Sequence, residues 1–285
     1  MLFSLTLCQD RSNHGILCIS FIRIITMKHT KKTALGFPLE YSALHEYYDL
    51  LSQSKSQVTN RTIETILKKH SIKTILDFTC GTGSQVFWLI KKGFKVTGVD
   101  ISPALLAIAQ KKAEKEQVDI RLIEGDMRST KVETFDAVIT IFNAIGHLTK
   151  SDFVRALHNI RNNLKEGGLY IFDIFNASAM TDICVSQLAM DIKKTIKDIT
   201  IRKVQYSTFD PESGRLTSHD RFSIQQGSSE PKVVKGSFSL QLYTPNELKK
   251  ILAENGFEIL AQYDMDGSSF DEQVTANMLT VAKKC

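Results

Sequence analysis

The chain of 285 residues is long enough for one large α/β domain or for a core domain with a smaller appendage. Its apolar fraction of 42% and charged fraction of 24% are ordinary for a soluble globular protein. The net charge of +5 arises from 36 basic and 31 acidic residues that are spread along the chain. Because no run of basic residues is concentrated in one place, the sequence disfavours a dedicated nucleic-acid binder.

The cysteines do not form a metal or disulfide pattern. There are five of them, Cys8, Cys18, Cys80, Cys184 and Cys285, and no two are arranged as a CxxC pair. This odd number and wide spacing indicate neither a zinc site nor a disulfide framework. We therefore expect reduced thiols, a cytoplasmic protein and no bound metal.

Residues 1–26 form an apolar but interrupted stretch. It lacks a basic region at its start, and polar residues between Gln9 and His14 break its apolar run. It is a poor signal peptide and too short for a membrane span, and no other segment is long enough to cross a bilayer. Met27 is followed by KHTKK, as in an ordinary cytosolic start. We interpret residues 1–26 as a non-core N-terminal extension, with a weak amphipathic anchor as the alternative.

Strands and helices alternate from about Thr74 to Phe175. The predicted strands are residues 75–78, 95–99, 120–124, 135–141 and 168–175, and the predicted helices are residues 84–92, a segment after Ser102, and residues 151–164. Ser102 is an expected N-cap with Pro103 at the first helical position. This alternation predicts an α/β fold with a parallel, doubly wound sheet that is buried on both faces.

The pattern changes between about Ile199 and Leu242, where three runs have strand character. DPESG at 210–214 and QGSSEP at 226–231 are predicted to connect them. We expect an antiparallel insert of about three strands. Thr244, Pro245 and Glu247 then form a predicted capping box for a helix that ends at Gly256, followed by candidate final strands at 257–263 and 277–283.

The segment DFTCGTG, from Asp77 to Gly83, closes the first strand and opens a helix. Glycines at such a turn allow a ligand to approach the backbone closely. A dinucleotide site requires a third glycine in G-x-G-x-x-G, but Val86 stands at that position. This difference, and the acidic residue in the strand, disfavour NAD.

The second strand ends at Asp100, followed by Ile101. A carboxylate at the carboxyl end of this strand, about 20 residues beyond the glycine turn, can accept hydrogen bonds from both hydroxyls of a ribose. Ligands of open parallel sheets bind at this edge. The two motifs together therefore predict a site for a nucleoside-containing cofactor.

DFTCGTG resembles motif I of the class I S-adenosylmethionine-dependent methyltransferases, with Thr79 in place of the usual first glycine. The resemblance implies a mostly parallel seven-stranded sheet and S-adenosyl-L-methionine as cofactor. EGDMR, at 124–128, resembles the segment that binds adenine, in which Asp126 would accept from the amino group and the Met127 amide would face a ring nitrogen. The LKEGG turn at 164–168 resembles the family's L-K-P-G-G. The residues implied to contact the cofactor are Tyr48, Asp77, Thr79, Gly81, Gly83, Asp100, Ile101, Asp126, Met127, Phe142 and Asn143.

The resemblance also divides the chain. Residues 1–26 are the extension, 27–70 a helical cap segment, 71–176 the cofactor-binding core, 177–243 the substrate-side insert, and 244–285 the C-terminal helix and final strands. FDAVITIFNAIGHL, EYYDL and the segment after Tyr243 are similar to small-molecule N-methyltransferases of the glycine/sarcosine and amino-sugar group. The implied acceptor is a small molecule that is methylated on an amine nitrogen.

Two residues are candidates for catalysis. His147 follows the fourth strand and is expected to contact substrate or act as a base, with a hydrogen-bonded structural histidine as the alternative. Tyr48, together with Tyr47, is expected to line the methyl channel, with packing aromatics as the alternative. His219 and Arg221 of the insert are candidate substrate contacts or residues of a solvated sheet face.

Other function classes stay open. The mild positive charge is compatible with a methyltransferase that acts on RNA or protein, and the cofactor motifs are compatible with cofactor binding without turnover. DNA amino-methyltransferase motifs are missing because no proline follows Asn143. We expect no nucleic-acid partner, no membrane association, and a monomer or homodimer.

Overall fold

The computed structural model describes residues 35–180 and 188–285. The expected extension at 1–26 and the start of the helical cap segment lie outside the described residues, as do Cys8, Cys18 and Cys184. Every described residue belongs to the same compact unit of the chain.

Five α-helices are present in the described parts of the chain. They are α1 (Tyr48–Lys69), α2 (Ser84–Lys91), α3 (Pro103–Glu116), α4 (Lys150–Asn162) and α5 (Pro245–Glu254). Short 3-10 helices cover Leu39–Tyr41, His45–Tyr47, Ala144–His147 and Ala177–Ala179. The predicted caps of α3 and α5 are confirmed. The Ser102 hydroxyl accepts a hydrogen bond from the Leu105 amide, and Thr244 and Glu247 form a complete capping box.

The strands of the core form one sheet of seven. They are β1 (Thr74–Asp77), β2 (Lys95–Asp100), β3 (Arg121–Glu124), β4 (Phe135–Thr140), β5 (Leu164–Phe175), β10 (Phe257–Tyr263) and β11 (Asn277–Lys284). Their spatial order is β10-β11-β5-β4-β1-β2-β3. Only β11 runs antiparallel to its neighbours β5 and β10. The predicted fold class, a doubly wound and mostly parallel seven-stranded α/β sheet, is therefore confirmed.

The sheet is buried on both faces, as a parallel sheet with crossover helices requires. Alternate residues of β4 and β5 enter two separate apolar clusters, since successive side chains of a strand point to opposite faces. Tyr170 and Phe172 join one cluster with side chains of α4 and α5. Leu169 and Ile171 join the other with side chains of α1 and α2. These two layers hold the strand ends in place.

The start of β5 differs from the expected turn at 164–168. The strand already begins at Leu164, and its pairing with β4 shifts register before Leu169. Gly167 has a φ of +70° at this irregularity. The residues expected to form a turn therefore lie in an irregular start of the strand, where a glycine supplies the left-handed conformation.

The insert has one strand more than expected. Its antiparallel sheet contains β6 (Leu188–Ile196), β7 (Ile199–Asp210), β8 (Arg215–Gln226) and β9 (Lys232–Gln241), in that order. The connections at 210–214 and 226–231 are found where the sequence predicts them. The expectation of three strands was wrong because β6 joins β7 through Lys197 and Asp198 alone. Lys197 has a φ of +55°, so the turn lacks the glycine or asparagine that normally marks such a hairpin.

Candidate active site

The carboxyl ends of four neighbouring strands bring the main candidate residues together. Asp77 ends β1 and Asp100 ends β2, while Asn143 lies just beyond β4 and Asp173 lies near the end of β5. All four side chains are buried. The sheet order β5-β4-β1-β2 places them in one row along one edge, where open parallel sheets bind ligands.

The glycine loop joins β1 to α2 and is connected directly to β2. Gly81 and Gly83 have φ values of +52° and +87°. The φ of Gly83 favours glycine, and a Cβ there would lie only 2.6 Å from the Phe87 ring, which would have to move. The Gly81 amide donates to Asp100 Oδ2 at 2.7 Å. The loop is therefore held against the end of the second strand.

Thr79, which replaces the family's usual glycine, connects the loops after β1 and β4. Its Oγ1 accepts from the Ile141 amide at 3.3 Å, and its own amide donates to Asp77 Oδ1 at 3.1 Å. A glycine could form only the second of these bonds. The substitution thus adds a contact between two loops of the site.

Asp100 is fixed by backbone donors. Oδ2 accepts from Gly81, and Oδ1 accepts from the Ser102 amide at 2.8 Å. An ionised carboxylate has about four lone-pair positions, so Asp100 can accept a further donor beyond these backbone hydrogen bonds. Burial raises the pKa of Asp100 to about 6, against the lowering effect of the backbone donors from Ser102, Gly81 and Ile101. Ile101 therefore contributes through its backbone.

Two further carboxyl groups at the edge have incomplete hydrogen bonding. Asp77 Oδ2 and Asp173 Oδ1 are buried and have no partner in the described structure. Burial raises the pKa of both groups to about 7. No described basic residue contributes to either shift, so this edge of the sheet has uncompensated acidic character. Asp173 was not among the expected site residues; the only signal for it is an acidic residue inside an otherwise apolar strand.

The loop after β4 is held in an unusual conformation. Phe142 and Asn143 have φ values of +65° and +58°. The Asn143 amide donates to Asp173 Oδ2 at 2.9 Å, and Asn143 Oδ1 accepts from the Phe175 amide at 3.1 Å. Left-handed backbone at non-glycine residues persists where the surroundings enforce it, often at functional sites. The expected cofactor residues Phe142 and Asn143 thus lie in a loop that β5 constrains.

Asp126 and Met127 follow β3, as the sequence predicts, but Asp126 has a strong internal partner. Arg128 donates to both of its oxygens, with the shortest contact 2.7 Å from Nη2 to Oδ2, and also donates to Asp152 at 3.0 Å. The Met127 carbonyl accepts from Asn159 at 3.0 Å. The ion pairs fix this loop on α4. An interaction of Asp126 with adenine would therefore have to share a carboxylate that already binds a guanidinium.

His147 lies in a cage of aromatic rings. The ring centroids of Phe37, Tyr41 and Phe238 are 5.7, 5.5 and 5.7 Å from that of the imidazole. The ring donates to the Gly36 backbone carbonyl, whereas Nδ1 is buried without a hydrogen-bond partner in the described structure. The proton is therefore placed on Nε2. Burial lowers the pKa of His147 to about 4, so the imidazole is neutral at pH 7.

Tyr48 extends this cage towards the cofactor edge. Its ring centroid is 5.7 Å from that of Tyr41, and burial raises its pKa, with a further contribution from the Asp100 charge. The following residue, Asp49, accepts from Thr82 Oγ1 at 2.6 Å and pairs with Lys112 at 2.6 Å. These contacts fasten the start of α1 to the glycine loop. Tyr41 thus packs on both Tyr48 and His147. It was not among the residues that the sequence predicts for the site.

The other aromatic and basic candidates lie elsewhere. Tyr47 packs with the cluster of Leu44, Ile201 and Phe222. His219 and Arg221 are exposed on the outer face of β8. The sequence left a solvated sheet face open for the last two residues, and the structure agrees with that alternative.

The described residues contain neither a metal-binding cluster nor a membrane-spanning helix. No group of three or more histidine, cysteine, aspartate or glutamate side chains in the described ranges has an arrangement that would hold a metal ion. No helix in those ranges combines the length and apolarity needed to cross a membrane.

Cys80, in the glycine loop, is buried as a free thiol, and burial raises its pKa.

Comparison with known proteins agrees with this geometry. Residues 75–168 match the family model described as "Methyltransferase domain". A relative in Geobacillus sp. (strain WCH70), whose name assigns it to the methyltransferases, is 34% identical over 151 residues, which are 51% of this chain and 61% of that protein. The dTDP-3-amino-3,6-dideoxy-alpha-D-glucopyranose N,N-dimethyltransferase of Streptomyces fradiae is 31% identical over 52% of this chain and 59% of its own length. The chain thus spans less than two thirds of the length of these relatives.

A solved structure extends the similarity beyond the domain match. The S-adenosylmethionine-dependent methyltransferase of Clostridium acetobutylicum aligns with a TM-score of 0.72 at 19% identity, covering 87% of this chain and 99% of that one. The amino-sugar relative agrees with the expected resemblance to small-molecule N-methyltransferases. Residues 75–168 are therefore a methyltransferase domain, within a chain that has the fold of the class I S-adenosylmethionine-dependent methyltransferases.

Proposed function

We propose that this chain transfers a methyl group from S-adenosylmethionine to the amine nitrogen of a small molecule. The observation that carries the proposal is the row of buried carboxyl groups at the sheet edge. The unpartnered oxygens of Asp77 and Asp173 and the remaining lone pairs of Asp100 accept hydrogen bonds and favour positive charge. S-adenosylmethionine, which carries a sulfonium, an ammonium and two ribose hydroxyls, has the groups that such residues bind.

Each part of the edge has a role in this proposal. Asp100 binds the ribose hydroxyls, while Gly81 and Gly83 allow the cofactor to approach the backbone. Asp77 Oδ2 accepts from the cofactor ammonium. The adenine lies next to the backbone of Ile101 and Met127 and the side chain of Asp126. Thr79, Phe142 and Asn143 hold the loops that border the methionine part.

When bound, the cofactor would supply an electrophilic methyl carbon for the lone pair of the acceptor nitrogen, with S-adenosylhomocysteine as the leaving group. The residues of the chain orient the acceptor in line with the carbon–sulfur bond of the cofactor and exclude water. The aromatic cage formed by Phe37, Tyr41 and Phe238, together with Tyr48, suits both tasks because its packed apolar rings exclude water and restrict how an acceptor can be oriented. The acceptor amine releases its proton to bulk water before it enters the site, so that it binds in its neutral form.

His147 acts in this scheme as a hydrogen-bond acceptor. Its Nδ1 lone pair is unpartnered and its pKa is about 4, so the imidazole is too weak a base to hold a proton at neutral pH. It can accept a hydrogen bond from the acceptor amine and so set the direction of the nitrogen lone pair. Substrate contact is therefore favoured over general base, and a hydrogen-bonded structural histidine stays the alternative.

The insert sheet supports a small acceptor. Phe238 of β9 packs on His147, and the Ser239 amide donates to the Leu35 carbonyl at 2.8 Å. The sheet thereby covers the caged histidine. A macromolecular acceptor would need open access to His147, so this covering favours the small-molecule alternative.

Methyl-acceptor screening tests the proposal. Purified protein is incubated with S-adenosylmethionine and pooled amine, hydroxyl and carboxylate metabolites, and release of S-adenosylhomocysteine is measured. We expect release with amines. Tight binding of S-adenosylmethionine with no release in any pool would leave a cofactor-binding protein without turnover, and release with RNA or protein alone would replace the small acceptor.

A further inference from the structure

A second cluster of buried charges lies away from the cofactor edge, on the inner face of the insert sheet. Glu40 belongs to the short helix Leu39–Tyr41, Lys203 lies on β7 and Asp220 lies on β8. Each residue is less than one-tenth exposed. None of the roles proposed above uses these three side chains.

The hydrogen bonding of this cluster is incomplete. Lys203 Nζ lies 2.6 Å from Glu40 Oε1 and 3.7 Å from Asp220 Oδ1. Glu40 Oε2 is buried without a hydrogen-bond partner in the described structure, whereas Asp220 interacts with Gln205 and Lys203, and burial still raises the pKa of Asp220 to about 6. Buried polar atoms are normally paired, because an unpaired one loses its hydration without compensation. Two carboxylates and one ammonium leave the cluster with one excess negative charge.

The cluster adjoins the aromatic cage of the proposed acceptor site. Glu40 directly precedes Tyr41, which packs on His147. Asp220 pairs with Gly236 in the β8–β9 register, two positions before Phe238, which also packs on His147. Two positions along a strand correspond to about 7 Å. Asp220 and Phe238 therefore lie on the same face of the insert sheet, and Phe238 packs on His147.

Resting on the proposed function, we propose that Glu40 and Asp220 bind a second group of the methyl acceptor, and that this group is a cationic hydrogen-bond donor such as an ammonium. Carboxylate oxygens only accept hydrogen bonds, so the partner must donate. The excess negative charge selects a cation over a neutral hydroxyl. An acceptor with a carboxylate at this end is rejected, because the charges would repel.

The competing explanation is that the cluster only fastens Leu39–Tyr41 to the sheet through the Glu40–Lys203 pair. In that case removal of a carboxylate lowers stability without changing which amines bind. The test therefore measures the selectivity of binding as well as stability.

Four amines with the same four-carbon chain serve as probes: diaminobutane, aminobutanol, n-butylamine and aminobutyrate. Their affinities are measured by titration calorimetry, with and without S-adenosylhomocysteine. The variants are Asp220→Asn and Glu40→Gln, which keep side-chain volume and remove a charge. Asp191→Asn is the matched control, because Asp191 lies on β6 of the same sheet and forms an exposed pair with Arg202. Thermal unfolding and S-adenosylhomocysteine affinity are recorded for every variant.

We expect the parent and Asp191→Asn to bind diaminobutane most tightly, aminobutanol and n-butylamine less tightly, and aminobutyrate least. Asp220→Asn and Glu40→Gln each weaken diaminobutane binding by about tenfold or more and leave n-butylamine unchanged, since a charged hydrogen bond is lost. Three results would overturn the proposal. In the first, the parent binds diaminobutane no more tightly than n-butylamine, and in the second it does not bind diaminobutane at all. The third result is an equal loss of affinity for both amines in the variants. The amines are also titrated without S-adenosylhomocysteine, so the two proposals are tested separately. Failure of S-adenosylhomocysteine to bind would refute the proposed function, whatever the amine titrations show.

Discussion

Asp100→Ala is expected to weaken cofactor binding strongly, because Asp100 is proposed to bind both ribose hydroxyls. Each hydrogen bond to a charged group contributes about 1.5–3 kcal/mol, so the loss of two corresponds to about 3–6 kcal/mol. At about 1.4 kcal/mol per tenfold change, S-adenosylhomocysteine affinity falls by about a hundredfold or more. Titration calorimetry at a temperature where both proteins are folded measures this loss.

The same substitution also releases the glycine loop. The Gly81 and Ser102 amides lose their acceptors at 2.7 and 2.8 Å, which costs about 1–3 kcal/mol for each buried donor left unpaired. Removing a buried carboxyl group whose pKa is raised to about 6 offsets part of this cost. Asp100→Asn, which retains one acceptor oxygen, should fall between the parent and Asp100→Ala in affinity. Asp119→Ala, at an exposed position, is the control. Unchanged S-adenosylhomocysteine binding by Asp100→Ala would refute the placement of the ribose at the end of β2.

Three further predictions concern the loop, the histidine and pH. Gly83→Ala should lower the free energy of unfolding by about 1–3 kcal/mol more than Gly93→Ala, as measured by denaturant unfolding. Both glycines have φ near +90°, but only at Gly83 would an added Cβ lie 2.6 Å from a neighbouring ring. Equal losses of stability in the two variants would contradict the packing argument. His147→Ala should keep S-adenosylhomocysteine affinity and lose turnover, whereas a parallel loss of stability and affinity would indicate a structural histidine. Burial raises the pKa of Asp77 and Asp173 from 3.8 to about 7, so the folded protein keeps protons that the unfolded chain loses. The contribution of these two groups to folding stability is therefore complete below about pH 4 and is lost as pH rises to about 7. Denaturant unfolding of the cofactor-free protein between pH 5 and 7 should therefore show a decline that Asp77→Asn reduces, and an unchanged pH slope in that variant would count against the shift.

Local sequence signals predicted the elements that form the cofactor edge. Alternating apolar strands and helices, the N-cap at Ser102 and the capping box at Thr244 depend on neighbouring residues, and the structure shows each of them. The glycine loop and Asp100 could be placed because strand order follows from the fold class. These features need only short-range chemistry and one topological rule.

The acceptor side could not be predicted in the same way. Phe37, Tyr41 and Phe238 surround His147 although they are separated from it by about 90 to 110 positions in the sequence. Each of them alone is an ordinary packing aromatic, so their meeting depends on how the insert folds back onto the core. The Glu40–Lys203 pair spans 163 positions and has the same origin.

Some predicted residues acquired partners that the motif did not reveal. Asp126 is bound by Arg128, only two residues away, because the turn after β3 brings the guanidinium back onto the carboxylate. Asp173 gave little signal, since one acidic residue in an apolar strand does not show that a neighbouring loop will donate to it. Hydrogen-bond partners of this kind depend on exact loop conformation, which motif spacing does not determine.

The most direct test of the central claim is methyl transfer itself. Purified protein is incubated with methyl-labelled S-adenosylmethionine and the amine probes, and mass spectrometry follows the label. We expect labelled N-methylated amines and S-adenosylhomocysteine in equal amounts, with both lost in Asp100→Ala. Absence of both products, together with no binding of S-adenosylmethionine or S-adenosylhomocysteine by the folded protein, would contradict it.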